Sequence, residues 1–222
     1  MTSRRPTPVP ARDRTRSGRS SGRPATRALV AAGVAAVLAA LVVALVVGGD
    51  DGSDGGGDTA GGAGTAAGVA GLLGVADDPA IGTALPPLSG RDLAGAPLTI
   101  EADGRPTIVM FVAHWCPHCQ AEVPRVQDWV HDGGLPEGVD LASVATASDE
   151  RRPNYPAGDW LAAEGWTAPV LDDADDSVAE AAGVNSYPFW IFVDADGRIA
   201  ARTSGELDIS LLDEAADLLA AG

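Results

Sequence analysis

Apolar and polar positions along the 222-residue chain change their pattern several times. From Ala28 to Val47 the sequence runs apolar without a charge, hydroxyl or amide for 20 residues. At about 1.5 Å rise per residue such a helix spans roughly 30 Å, the hydrocarbon thickness of a bilayer. Residues 48–80 are rich in Gly, Ala and Asp and show no period. From Ile81 onward apolar and polar runs alternate. Leu98–Ile100 reads as a short strand and Thr107–Val112 as a strand buried on both faces. Cys119, Val123, Val126 and Val130 recur at helical spacing and predict a helix from Pro117 to about His131. Val139–Thr146 follows as a strand, then short helices over Asp159–Glu164 and Ser177–Ala182. Trp190–Val193 and Ile199–Arg202 flank Ala195-Asp196-Gly197 and predict an antiparallel hairpin. Ile209–Ala220 closes the chain as an amphipathic helix. The order βαβ then ββα predicts an α/β domain with a mixed central sheet and helices on both faces.

Charge gives the apolar run an orientation. The net charge is −16, but residues 1–27 carry eight Arg and one Asp, while residues 48–222 hold the other seven Arg and the other 30 acids. A basic side before the run and Asp50, Asp51, Asp54 and Asp58 after it place the N-terminus in the cytoplasm by the positive-inside rule. The run is longer than the apolar core of a cleaved signal and lacks a small-x-small end, so it reads as an uncleaved single-pass anchor. The expected organisation is a disordered basic tail (1–27), a transmembrane helix (28–47), a flexible linker (48–80) and a folded extracytoplasmic domain (81–222). A linker rich in glycine and like charges gives the domain reach above the membrane.

The acidic balance argues against a nucleic-acid binder with a basic surface. All 15 basic residues are Arg, which excludes Schiff-base and P-loop lysine chemistry. Cys116 and Cys119 are the whole thiol inventory, so a disulfide-stapled scaffold is excluded as well.

Those two cysteines lie in Trp115-Cys116-Pro117-His118-Cys119-Gln120, between a buried strand and a helix start. Free N–H groups and the positive dipole end of a helix favour a thiolate there. Proline at the first helical position costs nothing, because its missing N–H would have had no partner. Two cysteines three apart share a face, and a protonated His118 between them adds positive charge. The expected chemistry is thiol-disulfide exchange: Cys116 as the exposed attacking thiol with a depressed pKa, Cys119 as the more buried resolving thiol, and a redox-active disulfide between them. A zinc site is the first competing reading, but the other candidate ligands are only His114, His118 and His131. A structural disulfide is the second, and so small a ring is a poor staple. Trp115, beside Cys116, is a candidate apolar platform for peptide substrates, whereas Trp129, Trp160 and Trp166 read as structural. The run Asp172-Asp173-Ala174-Asp175-Asp176 lacks the glycine and terminal glutamate of a calcium loop and reads as helix capping.

An ordered set of residues then carries a resemblance: Gly82 and Pro86; Gly95–Leu98; Arg105-Pro106; the Cys116–Cys119 motif continuing through Glu122 to Pro124; Val170–Asp172; Ala182–Val184; Tyr187-Pro188-Phe189; and Phe192–Ile199. Over residues 81–222 the chain resembles the thioredoxin superfamily, within it the membrane-anchored TlpA/ResA-like thiol-disulfide oxidoreductases. The resemblance implies that Pro188 is a cis-proline beside the active-site disulfide, with Tyr187 offering main-chain groups to an extended peptide. It also implies an acid at Glu122 near the thiols, which either shuttles a proton for Cys119 or is a solvated surface carboxylate; both readings stay open. Pro124 is expected to kink the helix. Met110 stands where thioredoxin itself has a buried aspartate, leaving proton transfer to Glu122, water or His118. Ala113 replaces the threonine that peroxiredoxins need three residues before the reactive cysteine. The anchored architecture resembles a reductant and the Pro117-His118 dipeptide resembles the oxidant DsbA, so the redox direction stays open. No cofactor and no metal are expected. The implied partners are exported protein thiols or disulfides and a membrane redox partner, either an electron donor or a quinone-linked reoxidant. The alternative function is a non-enzymatic thioredoxin-fold binding or copper-delivery module.

Overall fold

The structure, a computed structural model, describes residues 59–222, with side chains from residue 62. The basic tail, the apolar run 28–47 and the first part of the expected linker lie outside the described residues. Among the described residues no helix is long and apolar enough to cross a membrane.

The elements are α1 (Thr59–Leu72), β1 (Leu88–Asp92), β2 (Pro97–Ile100), β3 (Thr107–Val112), α2 (Pro117–His131), β4 (Asp140–Ala145), α3 (Ala157–Ala163), β5 (Val170–Asp172), α4 (Ser177–Ala181), β6 (Phe189–Val193), β7 (Ile199–Ser204) and α5 (Ile209–Ala220). Seven strands form one mixed sheet in the order β2-β1-β5-β4-β3-β6-β7. β3 runs parallel to β4 and β4 to β5, while β6 is antiparallel to β3 and β7 to β6. β1 and β2 extend the β5 edge in antiparallel fashion.

β3 lies at the centre because all six of its residues can be buried. Ile108, Met110 and Val112 point into one core with Val123, Val126, Trp190 and Leu212. Val109 and Phe111 point into the other with Val144, Leu171 and Ile191. α1, α2, α3 and α5 contribute to the first core and α4 to the second, so helices cover both faces as expected. Each fully buried aliphatic or aromatic side chain contributes about 1.5–3 kcal/mol. In the β6–β7 hairpin Gly197 takes φ +75°, and a Cβ there would stand 2.5 Å from Ala102 Cβ, so the turn requires glycine.

One expectation is corrected. Residues 59–72, placed in the flexible linker by composition, form α1, which packs on β7 and α5. Ala66, Val69 and Ala70 are buried. The glycines of this stretch disfavour an isolated helix, and tertiary burial of its small apolar residues overrides that preference.

Candidate functional site

β3 ends at Val112, and the next four residues turn the chain into α2. The Cys116 N–H donates to the Ala113 carbonyl at 3.0 Å, and Cys116 is the helix N-cap with Pro117 at the first helical position. The first helical bond runs from the Gln120 N–H to the Cys116 carbonyl at 3.0 Å, leaving the N–H groups of His118 and Cys119 without intrahelical partners beside the thiols. α2 continues through Pro124 as far as His131.

The two cysteines are present as thiols in unequal surroundings. Cys119 is fully enclosed, and burial pushes its thiol well above the usual range, with neighbouring Cys116 and Glu122 adding to the rise. The expectation of an exposed Cys116 is corrected: it is buried, at 7% exposure, because the Tyr187 carbonyl and the neighbouring rings close over it. Its Sγ donates to the Tyr187 carbonyl at 3.4 Å, and Trp115 packs edge-on against Tyr187. The Tyr187–Pro188 peptide is cis, as the resemblance implied, and Pro188 is buried.

Glu122 is fully buried, which removes the reading as a solvated surface carboxylate. One carboxylate oxygen accepts the Leu207 N–H at 2.7 Å and the other accepts Arg125 Nη1 at 3.0 Å. Burial raises its pKa, against the lowering from Leu207 and Arg125. Arg125 also reaches Glu206 Oε2 at 3.3 Å and the Leu207 carbonyl at 2.8 Å. Glu206 Oε1 in turn lies 2.7 Å from Nδ1 of the exposed His118. Sequence reading missed Arg125 and Glu206. An i,i+3 spacing to Glu122 was the available signal for Arg125. Glu206 lies 88 residues from His118, with no local pattern to reveal it.

On the other side, Trp115 Nε1–H donates to the Ala147 carbonyl at 2.6 Å. Ala147 N–H and Thr146 Oγ1 both donate to Asp176 Oδ1, at 2.6 and 2.9 Å. Asp173 caps α4 through the N–H groups of Val178 and Ala179, and Asp175 accepts from Ser177, so the acidic run acts as capping and loop bracing. His114 is buried: Nδ1 lies 2.7 Å from the Pro153 carbonyl and the Asp149 N–H donates to Nε2 at 3.2 Å. Its own carbonyl accepts from Gln120 and Asn154. Both ring nitrogens are thus committed to backbone, tying the 147–156 loop to the cysteine motif. Among the described residues, no group of three or more His, Cys, Asp or Glu is placed to hold a metal ion. Trp129 Nε1–H donates to Asp213 at 2.9 Å, while the indole N–H groups of Trp160 and Trp166 are buried without a partner.

The profile of the AhpC/TSA family matches residues 81–202, more than half of the chain. The chain belongs to the AhpC/TSA family. This AhpC/TSA member is 23% identical over 124 residues to sporulation thiol-disulfide oxidoreductase A of Bacillus subtilis, covering 56% of this chain and 74% of the relative. The crystal structure of StoA from Bacillus subtilis superposes with TM-score 0.50 at 23% identity, over 62% of this chain and 98% of that one. MTB DsbF, solved in mixed oxidized and reduced forms, gives TM-score 0.51 at 26% identity, over 59% and 93%. A thioredoxin family thiol:disulfide interchange protein from Chlorobium tepidum gives 0.52 at 23%, over 62% and 95%. The fold is thioredoxin-like, relatives carry the name thiol-disulfide oxidoreductase, and the fold supports that activity.

Proposed function

We propose that the chain is a membrane-tethered thiol-disulfide oxidoreductase that exchanges disulfides with exported proteins through Cys116 and Cys119. The observation that carries this reading is the asymmetry of the pair. Cys116 caps α2 against the Tyr187 carbonyl, and Cys119 sits one turn inward with its thiol held protonated by burial.

In the reducing direction the Cys116 thiolate attacks a substrate disulfide, forming a mixed disulfide and releasing one substrate thiolate. Cys119 loses its proton, attacks Cys116 Sγ and releases the second substrate thiolate, leaving the Cys116–Cys119 disulfide. The oxidising direction is the reverse, two electrons passing from a substrate dithiol to the disulfide. The reduction potential of the pair against its membrane partner sets the net direction. Glu122, a fully buried carboxylate whose charge helps raise the Cys119 thiol, is the proton acceptor assigned to that thiol in this reading. His118 places positive charge at the motif when protonated, and Trp115, Tyr187 and Pro188 form the substrate wall. The apolar run 28–47 and its charge asymmetry support a single-pass anchor with the domain outside the cytoplasm.

Turnover of a disulfide-bonded protein substrate by the reduced chain tests the reading. Cys116→Ser abolishes turnover, and full activity in that variant contradicts it.

A further inference from the structure

Among the described residues seven arginines are present, and six of them have a polar partner within about hydrogen-bond distance. Arg91 and Arg198 reach backbone carbonyls, and Arg105, Arg125, Arg151 and Arg202 reach carboxylates. Arg152 differs. Its nearest carboxylate is Asp149, 3.9 Å from Nε, and that carboxylate is held by Arg151 at 2.9 and 3.1 Å. The Arg152 guanidinium instead lies over the Trp115 ring, 4.3 Å from its centroid, with the side chain 53% exposed.

That position is fixed from several sides. Trp115 is anchored to the Ala147 carbonyl and packs against Tyr187, whose carbonyl receives the Cys116 thiol. The loop bearing Arg152 is tied through His114 to the residues just before Cys116. A guanidinium stacked on an indole keeps its N–H edge free, and that edge matches a carboxylate in two-point geometry. Among the seven, Arg152 is thus the arginine held by ring stacking and a 3.9 Å carboxylate rather than by a side-chain hydrogen bond, and it stands beside the nucleophile on a chain whose charge is otherwise strongly negative.

We infer that Arg152, stacked on Trp115, is a specificity-determining residue that selects substrate segments carrying an acidic side chain next to the reacting cysteine. The inference rests on the oxidoreductase reading and names the substrate class for that same site. Long-range repulsion from the acidic chain disfavours such segments, and Arg152 opposes it at short range, where one charge pair at about 4 Å in water changes a rate or affinity by about fivefold. The interaction is exposed, so salt weakens it.

The test uses the full chain with its Cys116–Cys119 disulfide formed and three short peptides whose single cysteine is flanked by Glu, Gln or Lys. In the reaction measured, the peptide thiolate attacks Cys116 Sγ, the Cys116–Cys119 bond breaks and Cys119 leaves as the thiolate. Flanking charge also changes the peptide's own thiol, so the readout is a double ratio: the Glu-to-Lys rate ratio of the parent chain divided by that of Arg152→Gln or Arg152→Glu. The expected double ratio at low salt is about 25-fold for Arg152→Gln, about fivefold from the lost attraction of the Glu peptide and about fivefold from the lost repulsion of the Lys peptide, and larger for Arg152→Glu, falling towards one at about 0.5 M salt, with the Gln-flanked peptide reacting at similar rates throughout. A double ratio below threefold for both variants overturns the inference while leaving the exchange activity standing. Absence of exchange with all three peptides overturns the oxidoreductase reading and the inference with it.

Discussion

On the His118 side of the motif each charge is answered by another: His118 by Glu206, Glu206 by Arg125, and Arg125 by the buried Glu122. On the Trp115 side the partners are aromatic and main-chain groups, and the cation over the ring meets a carboxylate only at 3.9 Å, one already held by Arg151. The first flank runs inward and joins α2 to the loop before α5, with Glu122 accepting the Leu207 N–H. The second faces outward and is braced from behind by Asp176 and His114. The contrast separates two tasks of an exchange site. In the proposed function one flank manages protons and holds the inner thiol, and the other meets the substrate.

Breaking the inward flank has the larger effect on the fold. Arg125→Ala leaves the buried Glu122 carboxylate without its cation, and because Arg125 is itself 40% exposed the expected loss is about 2 kcal/mol, below the 3–5 kcal/mol typical of fully buried pairs. Chemical denaturation reads it, and an unchanged midpoint contradicts the assignment. Substitution at Arg152, by contrast, leaves that midpoint within about 0.5 kcal/mol, since its side chain is exposed.

A smaller effect sharpens the role of Glu122. Burial raises its pKa in the fold, so the native state holds the proton more tightly than the unfolded chain does. The stability linked to that proton is complete below about pH 4.5 and is lost as pH rises through the elevated folded value. Glu122→Gln lacks this loss. The stability difference between variant and parent shifts in favour of the variant from about pH 4.5 to neutrality, read by urea unfolding at several pH values, and a pH-independent difference contradicts the account.

The parts legible in the sequence were those with strong local pattern. β3, α2 and α5 lie where apolar periodicity placed them. β1 was missed because it is exposed at three of its five residues, and β5 because it has only three residues. α1 was misread because its glycines resemble a tether, while the surface that orders it belongs to β7 and α5. The cysteine pair, Pro188 and Glu122 could be read from motif order. Glu206 and Arg152 could not, since each meets the motif only when distant loops are folded onto it.

The central claim is that Cys116 attacks and Cys119 resolves. Mass spectrometry of Cys119→Ser after incubation, as the reduced full chain, with a disulfide-bonded protein substrate tests it most directly. The account predicts a stable mixed disulfide at Cys116. A chain recovered without adduct, or an equal yield of adduct at Cys119 in Cys116→Ser, would contradict it.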